Sequence, residues 1–520
     1  MDSGPKNPFL ADSSYGVAHG RSDQQDNVPW RGPEGPTEVL DGSADVQYSW
    51  LGPCHFGHLT SGRYADGKRV LWSNGRENIA KLDYDTLDVL ADHEIVGGPG
   101  RTPASDLQDN LKGLDEKEGM EAIEHAIELS MKYMAGLDGV YALLDCDHTL
   151  FLGRTDHAVA YVEMDPSDRA SEIVERDRWY KPDHIPGAFV GMNMTFDGHL
   201  VMSTDHGWIV VLSRDFSTYH ALQVWGGAEE AAAYNQTMAD VGRVGYGWMR
   251  TSICVDDDNG IYVSSNDHHH KLRWTGAELT DDTAHGCWSM PYRNGGGTGS
   301  GTTPSLMGFG PDEDKFVVFG DGDSVVNITI AWREDIPEDW QQLPNAPDRR
   351  IAGIGPANMG DPDLATIQTE QSITTSGYGA MTVNNEPATI PEGFPGQGVR
   401  MLCFMLPHKP EYTPHGMHKY AWNPVTREFS EAWVNHDISS PNSVPFVAEE
   451  SGLVYTCGVR DGKFTIEGAD WESGESAFHY VLGGSRFNTI GAGVTVDDDG
   501  RLLFGSMYGK TRINRGPGRR

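Results

Sequence analysis

Three Asp–His steps fall in the polar loops that follow second strand-like runs: Asp156-His157, Asp205-His206 and Asp267-His268, the last followed by His269 and His270. A carboxylate beside an imidazole is equipment for moving a proton, because the carboxylate selects the tautomer and offsets the charge of the imidazolium. Each step falls in a stretch that reads as a tight turn, where Asp is ordinary but His is not required. These six residues are therefore the candidate acid–base groups. Arg250 is the candidate anchor for an anionic substrate group, and Trp208, Trp248 and Tyr508 are candidates to stack on a ring. Asn193, Asn442, Asp321 and Asp323 offer oxygen ligands to a divalent cation.

The elements that must position these groups are short strands. Gly191 to Phe196 is an apolar run, Asp197-Gly198 a hairpin turn, and Leu200 to Ser203 a second strand. A second turn at Asp205-His206-Gly207 leads into Ile209 to Leu212. The same order of parts recurs from Arg250 to His268 around Asn259-Gly260, and from Gly491 to Lys510 around Asp499-Gly500. Turns near positions 66, 147, 198, 259, 313, 451 and 499 lie about 50–80 residues apart, with a long irregular unit between the fifth and sixth of them.

Short antiparallel units at this period predict an all-β chain folded as a single β-propeller. Eight units can be read, or seven if the first or sixth is an insertion. Residues 1–46 lack periodicity and read as an N-terminal arm lying over the body formed by 47–520. One piece of the arm, Ala18 to Asp26, is dense in groups that could reach into a pocket. Residues 97–113 read as loop. Leu114 to Ala135 reads as one inserted helix, with Met120, Ile123, Ile127, Met131 and Met134 on one face.

The blade pattern of apolar strand, Asp-Gly turn, apolar strand, polar loop and third strand resembles the gluconolactonase/regucalcin-like and quinoprotein-like propellers over most of the chain. The resemblance implies that first strands line a channel, and that their entries and the loops after second strands converge on one mouth. All the residues named above would then meet there, with Asn74, Asn266, His55, His58, Thr302, Thr303 and Asn488. Regucalcin-like propellers imply calcium held by a Glu and Asn/Asp ligands. Asn193 and Asn442 suit that role, while the Glu has no clear counterpart. A resemblance to carotenoid-oxygenase-like propellers would imply iron on channel histidines, drawn from His55, His58, His206, His268, His415 and His418; copper is the other choice for such ligands.

Composition narrows the function. The formal net charge is −36, a surface that repels nucleic acid and anionic membrane. No apolar run of about 18 residues is present, and Met1 to Pro8 lacks a signal-peptide layout, so a cytoplasmic protein, or one that has lost a leader, is expected. The six cysteines have no CxxC spacing and read as small buried hydrophobes. Gly295 to Gly301 looks like a phosphate cradle but no Gly-Lys-Ser/Thr follows. Ser300 and Thr302 lack the G-x-S-x-G elbow of a serine hydrolase. The expectation is an enzyme acting on a small molecule by metal-assisted or His/Asp acid–base chemistry, as a hydrolase or lyase. The alternatives are an oxidoreductase using a quinone or channel-bound metal, although tryptophan-docking repeats are not visible, and a non-catalytic binding scaffold.

Overall fold

A computed structural model describes residues 4–95, 98, 100–226, 228–239, 247–367, 369–395 and 399–517. The unit around Asp197-Gly198 shows how each sheet is made. Phe189–Met194, His199–Thr204, Trp208–Ser213 and Tyr219–Gln223 pair antiparallel in sequence order. The first turn closes where Gly198, at φ 89°, donates its N–H to Thr195 O. Positive φ costs glycine little, so Asp-Gly sets the register of the hairpin.

The described residues form eight such sheets. In chain order the first seven span 59–94, 142–180, 189–223, 254–291, 305–356, 374–435 and 446–483. The eighth takes three strands from 494–513, and its outer strand is Val46–Trp50, which pairs with Gly509–Ile513 from the far end of the chain. Apolar side chains fill the seams between neighbouring sheets. Leu59, Val70 and Trp72 of sheet 1 pack with Leu144, Leu150 and Leu152 of sheet 2. Leu503 of sheet 8 packs with Leu71 and Leu82 of sheet 1, so the ring closes on itself. Each fully buried aliphatic side chain contributes about 1.5–3 kcal/mol, and the seams repeat that gain around the ring.

The innermost strands present free edges to the channel, and the N-terminal segment occupies them. Ser22 O accepts from Val255 N, Asp23 O from Leu306 N, Gln25 O from Thr375 N, and Asp26 O from Val447 N. Those donors belong to sheets 4, 5, 6 and 7 in turn, so five consecutive residues travel round the inside of the ring. Asn27–Val28 then runs parallel to Val447–Ala448, and Glu38–Val39 pairs with Tyr480–Val481 at the outer edge of sheet 7. The arm thus runs through the body, and its carbonyls satisfy amides that would otherwise be orphaned in the channel.

The inserted helix differs from the expectation. α1 (Ala104–Glu116) begins inside the stretch read as loop, the chain breaks at Lys117-Glu118, and α2 (Gly119–Leu129) continues as a π-turn over Ser130–Met134. Met120, Ile127 and Met131 are exposed, whereas Ala122, Ile123, Ala126, Leu129 and Tyr133 are buried. The buried face is set by Leu107, Leu111 and Leu114 of α1 and by Leu402 and Met405, which enclose α2 from either side. The latter two belong to a further helix, α4 (Val399–Met405), preceded in the chain by α3 (Ala228–Ala239). The spacing of Leu107, Leu111 and Leu114 is itself helical, and it was the readable signal for α1. No helix among the described residues is long and apolar enough to cross a membrane.

Candidate active site at the channel mouth

One end of the channel opens into a cavity of about 660 Å³, a size suited to a small organic ligand. Its floor is the arm, through Tyr15, Ala18 and His19; its walls are strand entries and loops bearing Tyr141, Arg250, Glu370 and Ser372 and the helix α4 bearing Arg400, with Phe56, Phe189, Phe404 and Ile490 as apolar surface.

His19 is the most constrained of these groups. It adopts φ 64°, and two residues further along the same arm segment, Gln24 and Asp26, adopt 58° and 57°. Non-glycine residues in this region cost about 1–2 kcal/mol each and persist only where surrounding contacts hold them. Gly20, at φ 88°, donates its N–H to Val17 O and makes the turn that presents His19. The His19 imidazole is buried, with Nδ1 3.1 and 3.3 Å from the two carboxylate oxygens of Asp26, also buried. A carboxylate accepts but does not donate, so the ring proton sits on Nδ1 and Nε2 is left as an acceptor. That acceptor faces the Ser372 hydroxyl at 3.3 Å. Burial raises the pKa of Asp26, the adjacent imidazole counteracts this, and Asp23 adds to the rise. Tyr15 supports the assembly from below: its hydroxyl accepts the His19 backbone N–H at 3.2 Å, and burial pushes its phenol pKa up.

Charge on the wall comes from two arginines flanking Glu370. Arg250 Nη2 lies 3.5 Å from Glu370 Oε1, and the Arg400 guanidinium pairs with the same oxygen. Arg250 also donates to Ser300 O at 3.0 Å and Gly299 O at 3.1 Å. The glycine-rich stretch that looks like a phosphate cradle therefore holds an arginine instead. Gly299 is required there: at φ 70° a Cβ would lie 2.6 Å from Asn266 O.

No family model matches the chain. An uncharacterized protein of Archaeoglobus fulgidus is 27% identical over 519 residues, which is 98% of this chain and 89% of that one. Among solved structures, a quinohemoprotein alcohol dehydrogenase of Comamonas testosteroni superposes with a TM-score of 0.51 at 12% identity, covering 99% of this chain and 82% of the other. A second quinohemoprotein alcohol dehydrogenase, from Pseudomonas putida, gives 0.50 at 10% identity with the same coverage. At such identity the likeness is one of backbone, and together with the closed ring of sheets it decides the architecture. The chain is a β-propeller.

Of the residues singled out in the sequence, Arg250, Asn74 and Asn266 line the cavity of this propeller. The three Asp–His steps do not appear on its wall. Each closes on itself, with the His Nδ1 on the preceding Asp carboxylate at 2.6 Å (Asp156–His157), 3.0 Å (Asp205–His206) and 2.7 Å (Asp267–His268). His157 then packs on Tyr180, and His268 on Trp225 with ring centroids 4.0 Å apart. His206 neighbours the Asn235 amide. Trp208 lies edge-on to His184, Trp248 is buried in the seam between blades 3 and 4, and the buried Tyr508 hydroxyl accepts from Asn110.

The proposed oxygen ligands are likewise engaged. Asn193 gives its amide to Ser22 O and Ile253 O, and Asn442 gives its own to Cys403 O, Phe404 O and the Asn488 side chain. Asn193 thus sits in blade 3 and Asn442 at the entry to blade 7, and the structure does not bring them together. Asp321 accepts from the Asn327 backbone and side chain at 2.8 and 2.6 Å, and burial pushes its pKa up to about 7. Asp323 pairs with Arg293 at 2.7 Å. Of the further histidines, His55 bridges Ser73 and Asn78, His58 neighbours Thr495, His415 bonds Asp437 O, and His418 bonds Glu431. Among the described residues, three His, Cys, Asp or Glu side chains converge only at Asp497, Asp498 and Asp499, in a turn where Asp497 is taken up by Arg501. The six cysteines are free thiols, and all but Cys146 are buried.

His19, Tyr141, Glu370, Ser372 and Arg400 line the cavity, with Asp26 behind His19, and none of the six was among the named candidates. The arm segment carrying His19 and Asp26 was legible as dense in reactive groups. Glu370 and Ser372 occupy the strand entry of the sixth unit, the position that singled out Arg250 in the fourth.

Proposed function

We propose that this propeller is an enzyme acting on a small organic molecule held in the channel-mouth cavity, by acid–base chemistry of the hydrolase or lyase type. His19 is the base and Asp26 its orienting carboxylate. The observation that carries the reading is the buried pair itself, with Asp26 on Nδ1, Nε2 against the Ser372 hydroxyl, and His19 and Ser372 both lining a cavity of ligand size. An imidazole held in one tautomer takes a proton at Nε2 and returns it to a leaving group, while the carboxylate stabilises the imidazolium formed between the two steps. Arg250 and Arg400 would draw an anionic or strongly polar substrate group to the wall, and Phe56, Phe189 and Phe404 would exclude water from an apolar part.

The test is a panel of aryl esters and lactones with the purified full chain. Turnover should fall at least about 100-fold in His19→Gln and in Asp26→Asn, the usual reach of acid–base assistance. Undiminished turnover in both variants sinks the reading.

A second reading, an oxidoreductase using a quinone, is favoured by the backbone likeness to the two quinohemoprotein alcohol dehydrogenases. Arg250 and Arg400 would take acidic groups of such a cofactor and the phenylalanines its flat faces; the quinone would supply a two-electron acceptor. Dye-linked alcohol oxidation after reconstitution, unaffected by His19→Gln, would favour it.

A further inference from the structure

We infer that Ser372 is the nucleophile of this site, and that the protein forms a covalent acyl-enzyme on Ser372 Oγ from a small carboxylic ester or lactone. The inference rests on the acid–base reading and adds the reacting atom and the substrate class.

Three observations carry it. Ser372 Oγ lies 3.3 Å from His19 Nε2, the one ring nitrogen left as an acceptor once Asp26 occupies Nδ1 at 3.1 Å. A nucleophile, a base and an orienting carboxylate in that sequence of contacts are the constellation that activates a hydroxyl, and it is recognised by geometry rather than by chain position. Here His19 and Ser372 are 353 residues apart, and Ser372 stands in Glu370-Gln371-Ser372-Ile373 with no elbow motif. Second, both Ser372 and His19 line the cavity, so a substrate held there lies against the pair. Third, Glu370, two residues before Ser372, is the carboxylate that Arg250 and Arg400 flank. Both guanidinium groups line the same cavity as the Ser372 hydroxyl, where they can meet negative charge that develops on a substrate's carbonyl oxygen.

The step balances without a further reagent. Ser372 Oγ bonds to the carbonyl carbon as its proton passes to His19 Nε2. The carbon–oxygen bond to the leaving alcohol then breaks, and that oxygen takes the proton from His19. Water attacks the acyl-enzyme, gives a proton to His19, and the carboxylic acid departs as Ser372 recovers its hydrogen. Asp26 accepts from Nδ1 throughout.

A serine that only satisfies a buried histidine would occupy the same place, so the test must read bond formation. The full chain is incubated with a fluorophosphonate, digested and mapped by mass spectrometry. The expected result is one adduct per chain on Ser372, absent in Ser372→Ala and formed at least 100-fold more slowly in His19→Gln, with thermal melts showing both variants folded. No adduct at Ser372, or an adduct whose rate ignores His19, overturns the inference. If no adduct forms but ester turnover still collapses in His19→Gln, His19 activates water directly: the acid–base reading stands and the nucleophile does not. If His19→Gln leaves turnover intact, the acid–base reading itself fails.

Discussion

The Tyr15 ring lies flat on His58, with centroids 4.2 Å apart and planes 18° from parallel. One end of this stack is the arm and the other is the entry to blade 1, so the floor of the cavity is pinned to the ring close to His19. The Tyr15 hydroxyl also accepts the His19 N–H. Tyr15→Phe keeps the stack and removes the acceptor, leaving a buried N–H unpaired at a cost of about 1–3 kcal/mol. A lower melting temperature is expected, with kcat reduced more than KM is raised, because His19 is held less firmly. Equal kinetics in the two proteins would remove Tyr15 from the positioning of His19.

Asp26→Asn separates tautomer from shape. An amide of the same size fits the turn but can present its NH2 group to Nδ1, which moves the ring proton to Nε2 and turns that nitrogen toward the Ser372 hydroxyl as a donor. A loss of about 1,000-fold or more in kcat, with a small change in melting temperature, is the expected outcome in steady-state kinetics.

Arg250→Gln tests the wall. It keeps an amide that can reach one of the carbonyls of Gly299 and Ser300 but deletes a charge. KM for a carboxylate-bearing ester should rise about 10–100-fold, while that for a neutral ester should change little. Parallel rises for both substrates would mean that the loop, not the charge, was disturbed.

Stability should fall in acid for an identifiable reason. Burial depresses His55, His58 and His270 to about 3, so they remain neutral in the fold while the unfolded chain takes up protons below about 6.5. The stability they provide is complete above about 6.5 and is lost as pH falls toward 3. Asp321, raised to about 7, works the other way: its contribution is complete below about 4 and is lost as pH rises through 7. At pH 5 the four groups together predict a net uptake of about two protons on unfolding, three taken up and one released. Urea unfolding at pH 4.5, 5 and 5.5 measures this directly, and stability that rose on acidification would contradict it. Asp321→Asn removes the opposing proton release and should steepen the loss of stability as pH falls from about 6 to about 4.

Chelation distinguishes two forms of the chemistry. A tautomer-fixed imidazole and a hydroxyl suffice for ester cleavage, so exhaustive treatment with EDTA should leave turnover within about twofold. A loss restored by calcium or iron would show a metal at work.

The architecture was legible because its signals are local. Asp197-Gly198, Asn259-Gly260 and Asp499-Gly500 each fix a hairpin within a few residues, and their recurrence implies the ring. Arg250 was legible for the same reason, as the entry to a well-marked strand. Ser372 was not, because its blade turns at Ser376-Gly377-Tyr378 without an Asp-Gly signal and then departs on a long excursion. In the Asp–His steps adjacency in sequence does bring a carboxylate to an imidazole, and the same adjacency closes each pair on itself within its turn. His19 and Asp26 meet only because a run of positive-φ residues is held by amides from several blades, and no local pattern encodes that.

The path of the arm gives the molecule a built-in test of completion. Residues 22–26 are made before any of the blades 4 to 7 whose amides they bind, and the strand that seals the ring, Val46–Trp50, waits for Gly509–Ile513 at the other end of the chain. His19 can settle against Ser372 only after nearly the whole polypeptide has left the ribosome and the circle has shut. Such long-range pairing makes for slow maturation. It also means that an unfinished or misassembled ring does not bring His19 and Ser372 together.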